Sequence, residues 1–272
     1  DSNSQMPRAL VERYAVEVVP LTVTVDGEAF REGVDLDADA FYARYVDGAK
    51  PTVSTAAPSP GAFVAAYARL AERGAEEVLS VHIGAAVSAT LNSARLAAGA
   101  AEVPVRLVDT GTASFAVTCC LWEAAEAVAG GADLEAAAAV AEAVAARCGN
   151  VFMVADLAFA RSGGRLASDA GADGVPVLTM VDGVMEVIAT VGGVEEAADA
   201  MAAHVLAGGT GLRVGVAVAD EATASIAEAL ERRLAGRPEI ADVVRYRVGP
   251  SVGVHTGPGT SGAMFYSSAA AG

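Results

Sequence analysis

The stretch from Glu77 to Gly130 constrains this chain more than any other. Glu77 to Ile83 is a run of strand formers, Ser88 to Ala98 has helical spacing, Val103 to Asp109 is strand-like again, and Ala113 to Gly130 is helical. Strand and helix in alternation imply parallel strands joined by crossover helices, because parallel neighbours need a long connection between them. Such a sheet is covered on both faces, so its strands sit in a core. The 272 residues suffice for one large domain or two smaller ones. A hydrophobic share of 53% against 19% charged residues excludes a disordered chain.

On either side of that stretch the pattern changes. Ser4 and Pro7 look like the cap and first turn of a helix over Arg8 to Tyr14. Val16 to Val25 and Glu28 to Val34 flank Asp26-Gly27, a strong hairpin signal, and form an arm. Asp37 can cap a helix reaching about Tyr45, and Lys50 to Pro60 reads as a loop whose Ser59 and Pro60 start the next helix. Beyond a helix over Leu134 to Arg147 come a short strand at Val151 to Val154, a break at Gly163-Gly164, and a hairpin from Val177 to Thr190 about Asp182-Gly183. Helix Glu195 to Leu206, strand Leu212 to Val218, helix Glu221 to Leu234, strand Val243 to Val248 and a strand near Met264 to Ser267 follow. Mixed hairpin and crossover is an α+β pattern, which places a boundary near Asn150: residues 1–150 an N-terminal α/β domain, residues 151–272 a C-terminal α+β domain.

Charge and cysteine usage narrow the function classes. Lys and Arg total 18 against 34 Asp and Glu, a net charge of -16 that repels nucleic acid and anionic membrane surfaces and suits a partner with a basic face. Cys119, Cys120 and Cys148 have no metal-ligand spacing, and three buried thiols fit a reducing cytoplasm. No basic start followed by an apolar run marks a signal peptide. The stretch after Arg247 lacks charged residues, yet its glycines and prolines break it too often for a membrane helix, so it reads as ordered loop and strand.

Gly257, Gly259 and Gly262 have the spacing of a dinucleotide fingerprint but lack the helix and acidic residue that should follow. They are expected to shape a tight loop against a ligand or a neighbouring backbone. Lys50 lies in no phosphate-binding loop, and Ser88 lacks the flanking glycines of a nucleophile elbow. Ser88 does stand between a strand and a helix, where free N–H groups favour an anion such as a carboxylate, although a plain N-cap of Ala89 to Ala98 gives the same sequence. His82, His204 and His255 share no metal spacing, so no metal is expected. Of the three, His255 in the glycine loop is placed to meet a ligand. Arg165 follows two glycines and is either a fork for a carboxylate or a solvated loop arginine.

One ordered set of motifs spans the chain: Asp1-Ser2, Val18-Val19-Pro20-Leu21, Pro58-Ser59-Pro60-Gly61, Ser88-Ala89-Thr90 with Ser93-Ala94, Val108-Asp109, Gly163-Gly164-Arg165-Leu166 and Val254-His255-Thr256-Gly257-Pro258-Gly259. In these the chain resembles the DegV family of fatty-acid-binding proteins, which includes the carrier subunit of bacterial fatty acid kinase. The resemblance implies two α/β domains enclosing a ligand tunnel, with the fatty-acid carboxylate near the domain interface. It implies that Thr55 and Ser88 donate hydroxyls to that carboxylate, that Arg165 and His255 complete the head-group cluster, and that Thr90, Thr256 and Gly257 support the loops. It further implies a cytoplasmic bacterial lipid-binding protein without catalysis of its own, cofactor or metal. Such a protein presents a long-chain fatty acid to a separate ATP-binding kinase, whose acyl phosphate enters phospholipid synthesis.

The chain departs from the family pattern in places. Family members usually carry a strand before the Asp-Ser pair; Ala56 and Ala57 replace Ser-Gln, Gly84 and Ala85 replace a Ser-Ser pair, and Ala89 replaces a glycine. Between Arg165 and Pro176 the chain is about five residues shorter than the family, within loop-length tolerance. Two other functions stay open at this point. A fold relationship to dihydroxyacetone kinases would make His255 the holder of a small carbonyl substrate, and the substitutions near Ala56 and Gly84 would suit an interaction module with an empty pocket.

Overall fold

The computed structural model describes residues 1–162, 174–181 and 183–268. A 3-10 turn at Ser2–Ser4 leads to α1 (Arg8–Arg13), β1 (Thr22–Val25), β2 (Glu28–Arg31), α2 (Ala38–Tyr42), β3 (Val53–Ala56), α3 (Pro60–Glu72), β4 (Val78–His82), α4 (Thr90–Ala98), β5 (Val105–Asp109), α5 (Phe115–Ala129) and α6 (Leu134–Ala145). Then come β6 (Gly149–Met153), α7 (Leu157–Ser162), β7 (Val175–Val181), β8 (Val184–Val191), α8 (Val194–Leu206), β9 (Leu212–Val218), α9 (Ala224–Leu234), β10 (Ile240–Arg247), α10 (Pro250–Thr256) and β11 (Ser261–Ser267). The chain divides into two compact units, Asp1–Asp35 with Val53–Ala146, and Leu36–Thr52 with Arg147–Gly272. The division is not a single cut near Asn150. Residues 36–52 belong to the second unit, where Asp39 pairs with Arg247 and where a Cβ on Gly253 would meet the Phe41 ring and the Tyr42 hydroxyl at 2.7 Å.

In the first unit β4 and β5 pair in parallel, as the alternation predicts, with Val78 opposite Val105 and His82 opposite Asp109. The β1–β2 arm turns at Asp26 and Gly27, both at positive φ (50° and 86°), the backbone that a two-residue hairpin of matching twist requires. Val23 and Val25 of β1 are buried while the alternate Thr22 and Thr24 are half-buried, the period-2 pattern of a sheet packed on one face. The segment read as a loop from Lys50 to Pro60 contains β3, which pairs antiparallel with β1. Four residues are too few for a period to show, and the partner strand decides. Helix α3 starts as expected: the Ser59 hydroxyl accepts the Ala62 N–H at 3.2 Å and Pro60 occupies the first turn. Its Phe63, Ala66 and Tyr67 recur at helical spacing and pack with Val78, Ala94 and Ala97.

The second unit is built on one six-stranded sheet, in the order β10-β9-β11-β6-β7-β8, in which β10 and β9 are parallel and the remaining pairs antiparallel. Successive side chains of β6 enter different cores. Val151 and Met153 join the cluster that holds Met201 and Val205 of α8 and Leu230 of α9, whereas Phe152 and Val154 pack with Leu178 and Met185. That is why this strand is apolar at consecutive positions. The charge-free tail is not loop and strand alone: α10 interrupts it, started by Pro250 at the first helical position after Gly249.

Candidate functional site

The carboxyl ends of parallel strands are where open α/β sheets collect ligand-binding loops, and Ser88 lies beyond such an end. Between His82 and Thr90 the backbone makes one compact turn. The Gly84 carbonyl accepts the N–H groups of Val87 and Ser88 at 3.0 and 3.2 Å, and the Gly84 N–H donates to the Thr112 carbonyl at 2.7 Å. The N-cap of α4 is Ala89, which has no side-chain cap bond, and Ser88 stands one residue before it. The Ser88 Oγ nevertheless accepts the Thr90 N–H at 3.2 Å and lies 2.8 Å from Thr90 Oγ1. Two hydroxyls in mutual contact use one proton between them and keep the other. Either hydroxyl can donate; in the arrangement where Thr90, fully buried, donates, the half-buried Ser88 retains an O–H for an outside acceptor.

Thr55 lies within β3 opposite Val23, half-buried. His255 is half-buried and sits on the last turn of α10 rather than in a loop, followed by buried Thr256. The three spaced glycines have steric explanations. Gly257 has φ 74° and a Cβ there would run into the Phe159 ring; Gly259 has φ 76° and would meet the Ala155 Cβ at 2.6 Å. Gly262 lies in β11 against the backbone of β6. The Asp220 carboxylate takes the Gly259 N–H at 2.8 Å and the Thr223 N–H at 3.1 Å, so it ties the loop after α10 to the turn after β9. Sequence reasoning missed Asp220, whose only local signal is that of a helix cap. Arg165 and its preceding glycines lie outside the described residues.

A second polar cluster lies on β4. Tyr67 Oη is 2.9 Å from Ser80 Oγ, Ser80 Oγ is 2.7 Å from His82 Nε2, and His82 Nδ1 is 3.1 Å from Asp1 Oδ2, which also accepts the Ile83 N–H at 3.0 Å. The order serine, histidine, aspartate is that of a hydrolase, but the protons run one way and are all used. With neutral His82 donating from Nδ1, the chain runs from Tyr67 through Ser80 and His82 and ends on the Asp1 carboxylate. Burial holds His82 neutral, its pKa pushed down to about 2, with Asp109 opposing the effect. The cluster borders a cavity of about 600 Å³ with Phe63, Val78, Val117 and Leu121 on its walls. Among the described residues no grouping of three His, Cys, Asp or Glu side chains could hold a metal, and no helix is long and apolar enough to cross a membrane.

Comparison with known proteins bears on this arrangement. The family model described as "Uncharacterised protein, DegV family" matches residues 1–268. A DegV domain-containing protein of Streptomyces coelicolor is 34% identical over 270 residues, covering 97% of this chain and 95% of the relative. One from Mycobacterium tuberculosis is 31% identical over 272 residues, covering 96% and 94%. Among solved structures, a fatty-acid-binding protein of the same family from Thermus thermophilus superposes with a TM-score of 0.88 at 30% identity, covering 98% of this chain and 97% of that one. A protein from Thermotoga maritima described as revealing fatty acid binding superposes at 0.84 with 26% identity, covering 98% and 97%.

Proposed function

The chain belongs to the DegV family, and from that premise we propose that it binds a long-chain fatty acid whose carboxylate is held by Thr55, Ser88, Arg165 and His255. The observation that carries the reading is the Ser88–Thr90 hydroxyl pair beyond the carboxyl ends of β4 and β5, which with Thr90 as donor leaves the Ser88 O–H for an anionic acceptor. A carboxylate removed from water needs charge-assisted partners, and in a chain of net charge -16 they must be supplied locally by an arginine and oriented hydroxyls. The acyl chain supplies affinity: about 15 methylenes at about 0.8 kcal/mol each gain on the order of 12 kcal/mol before association costs. The protein acts as a cytoplasmic carrier without catalysis of its own. It hands the held carboxylate to a separate ATP-binding kinase for acyl-phosphate formation and phospholipid synthesis.

Mass spectrometry of the purified protein, native and after organic extraction, tests the reading. A stoichiometric fatty acid that leaves on extraction supports it, and delipidated Arg165→Ala should retain added fatty acid about tenfold more weakly, the cost of one charge-assisted bond. Equal binding by wild type and Arg165→Ala refutes the head-group assignment. A mass increment that survives extraction and maps to His255 refutes the carrier reading in favour of a covalently held carbonyl compound.

A further inference from the structure

We infer that Asp109 is a positioning residue for the Ser88 turn, an inference that rests on the fatty-acid reading above. Asp109 ends β5 and pairs with His82 across the parallel ladder, so its backbone is placed by the sheet and not by the loops. Its Oδ1 accepts two backbone N–H groups, from Ala85 at 3.1 Å and from Gly111 at 3.0 Å. One carboxylate oxygen therefore joins the turn after β4 to the turn after β5, and both bonds are charge-assisted.

The two turns touch through their backbones. A Cβ on Gly84 would stand 2.7 Å from the Gly111 carbonyl carbon, 2.9 Å from its Cα and 3.0 Å from the Thr112 nitrogen, so glycine at 84 is what lets them meet. Gly111 takes φ 62°, which favours glycine there as well. Thr110 adds a second tie, donating its hydroxyl to the His82 carbonyl at 2.8 Å. The tethers then run outward from Asp109 to Ala85, from the Gly84 carbonyl to the Ser88 N–H, and from Ser88 to Thr90. Without the Asp109 oxygen, the Ala85 and Gly111 N–H groups must turn to water, and the turn that aims the Ser88 hydroxyl loses its fixed end. Asp109 touches no ligand in this scheme; it acts through the direction of the Ser88 O–H.

The test compares delipidated full-length wild type, Asp109→Ala and Asp109→Asn for binding of hexadecanoate and of hexadecanol, the same chain with a neutral head. Asparagine keeps an oxygen that can accept both N–H groups, so it should restore what alanine loses. Asp109→Ala is expected to bind hexadecanoate about tenfold more weakly with hexadecanol binding unchanged, and Asp109→Asn to stay within about threefold of wild type, as loss and retention of paired hydrogen bonds dictate. Equal hexadecanoate binding by Asp109→Ala and wild type, or parallel loss of acid and alcohol, overturns the positioning role. Wild type that binds neither ligand overturns the fatty-acid reading instead, and amide hydrogen exchange then decides the clamp. Protection at Ala85 and Ser88 that is lost in Asp109→Ala supports it, and unchanged protection overturns it.

Discussion

Replacing Gly262 by alanine should unfold the second unit's sheet at markedly lower denaturant, because the residue sits where two strands leave no room for a side chain. Gly262 is the second residue of β11 and lies opposite Ala217 of β9 and Phe152 of β6. An alanine Cβ would stand 2.5 Å from both the Cα and the Cβ of Phe152, and closer still to the Val151 carbonyl oxygen. Carbon atoms rest about 3.5 Å or more apart, so β6 and β11 would have to separate by about 1 Å. No rotamer change relieves a contact with backbone. Overpacking of this kind costs about 1–3 kcal/mol. Stretching two ladder hydrogen bonds adds about 1 kcal/mol each, for a total of about 4 kcal/mol. At about 3 °C per kcal/mol for a chain of this size, Tm falls by about 12 °C.

Urea titration followed by far-ultraviolet circular dichroism measures the loss. Gly61→Ala is the control, since Gly61 lies in the first turn of α3 with its nearest neighbour, Ser59 Oγ, at an ordinary 3.8 Å. There alanine should stabilise by about 0.5 kcal/mol through helix preference. If the two variants differ by less than about 1 kcal/mol, half the typical overpacking cost, the steric reasoning is refuted.

Two further outcomes follow from other sites. His82 has a folded-state pKa of about 2 against about 6.5 unfolded, so between those values the unfolded chain binds the extra proton. Its contribution is complete above about pH 6.5 and declines by about 1.4 kcal/mol per pH unit as pH falls toward 2. The stability of wild type relative to His82→Gln, measured from pH 7 to pH 4.5, should show that slope, and parallel curves would contradict it. Asn150 extends the β6–β7 ladder with its side chain, accepting the Met180 N–H at 2.6 Å and donating to the Met180 carbonyl at 2.8 Å. Asn150→Ala should cost about 2 kcal/mol, two hydrogen bonds at about 1 each, as a lowered urea midpoint with unchanged slope.

Wherever neighbours along the chain settle the conformation, the sequence alone determined the outcome. Strand-forming apolar runs in Val78–His82 and Leu212–Val218, caps at Asp37 and Ser59, and the Asp26-Gly27 turn are all local: each depends on residues within a few positions, and each appears where the pattern puts it. The hairpin expected about residues 182–183 is likewise formed by β7 and β8, with Gly183 at φ 80°. The motif spacing also sufficed to assign the family, because ordered short motifs survive where overall identity is low. Only the tertiary structure decided that Val53–Ala56 is a strand, since its partner β1 lies some thirty positions away in the chain. The packing of residues 36–52 with the second unit rests on contacts such as Asp39 with Arg247, 208 positions apart. The same holds for the Ser88 turn. That Ser88 stands between a strand and a helix was legible from position alone, but its turn is tied down by a carboxylate 24 positions beyond Ala85 and a glycine contact between two loops. No local pattern encodes which loop a lone aspartate will reach; that is fixed when the strands of the sheet bring their carboxyl ends together.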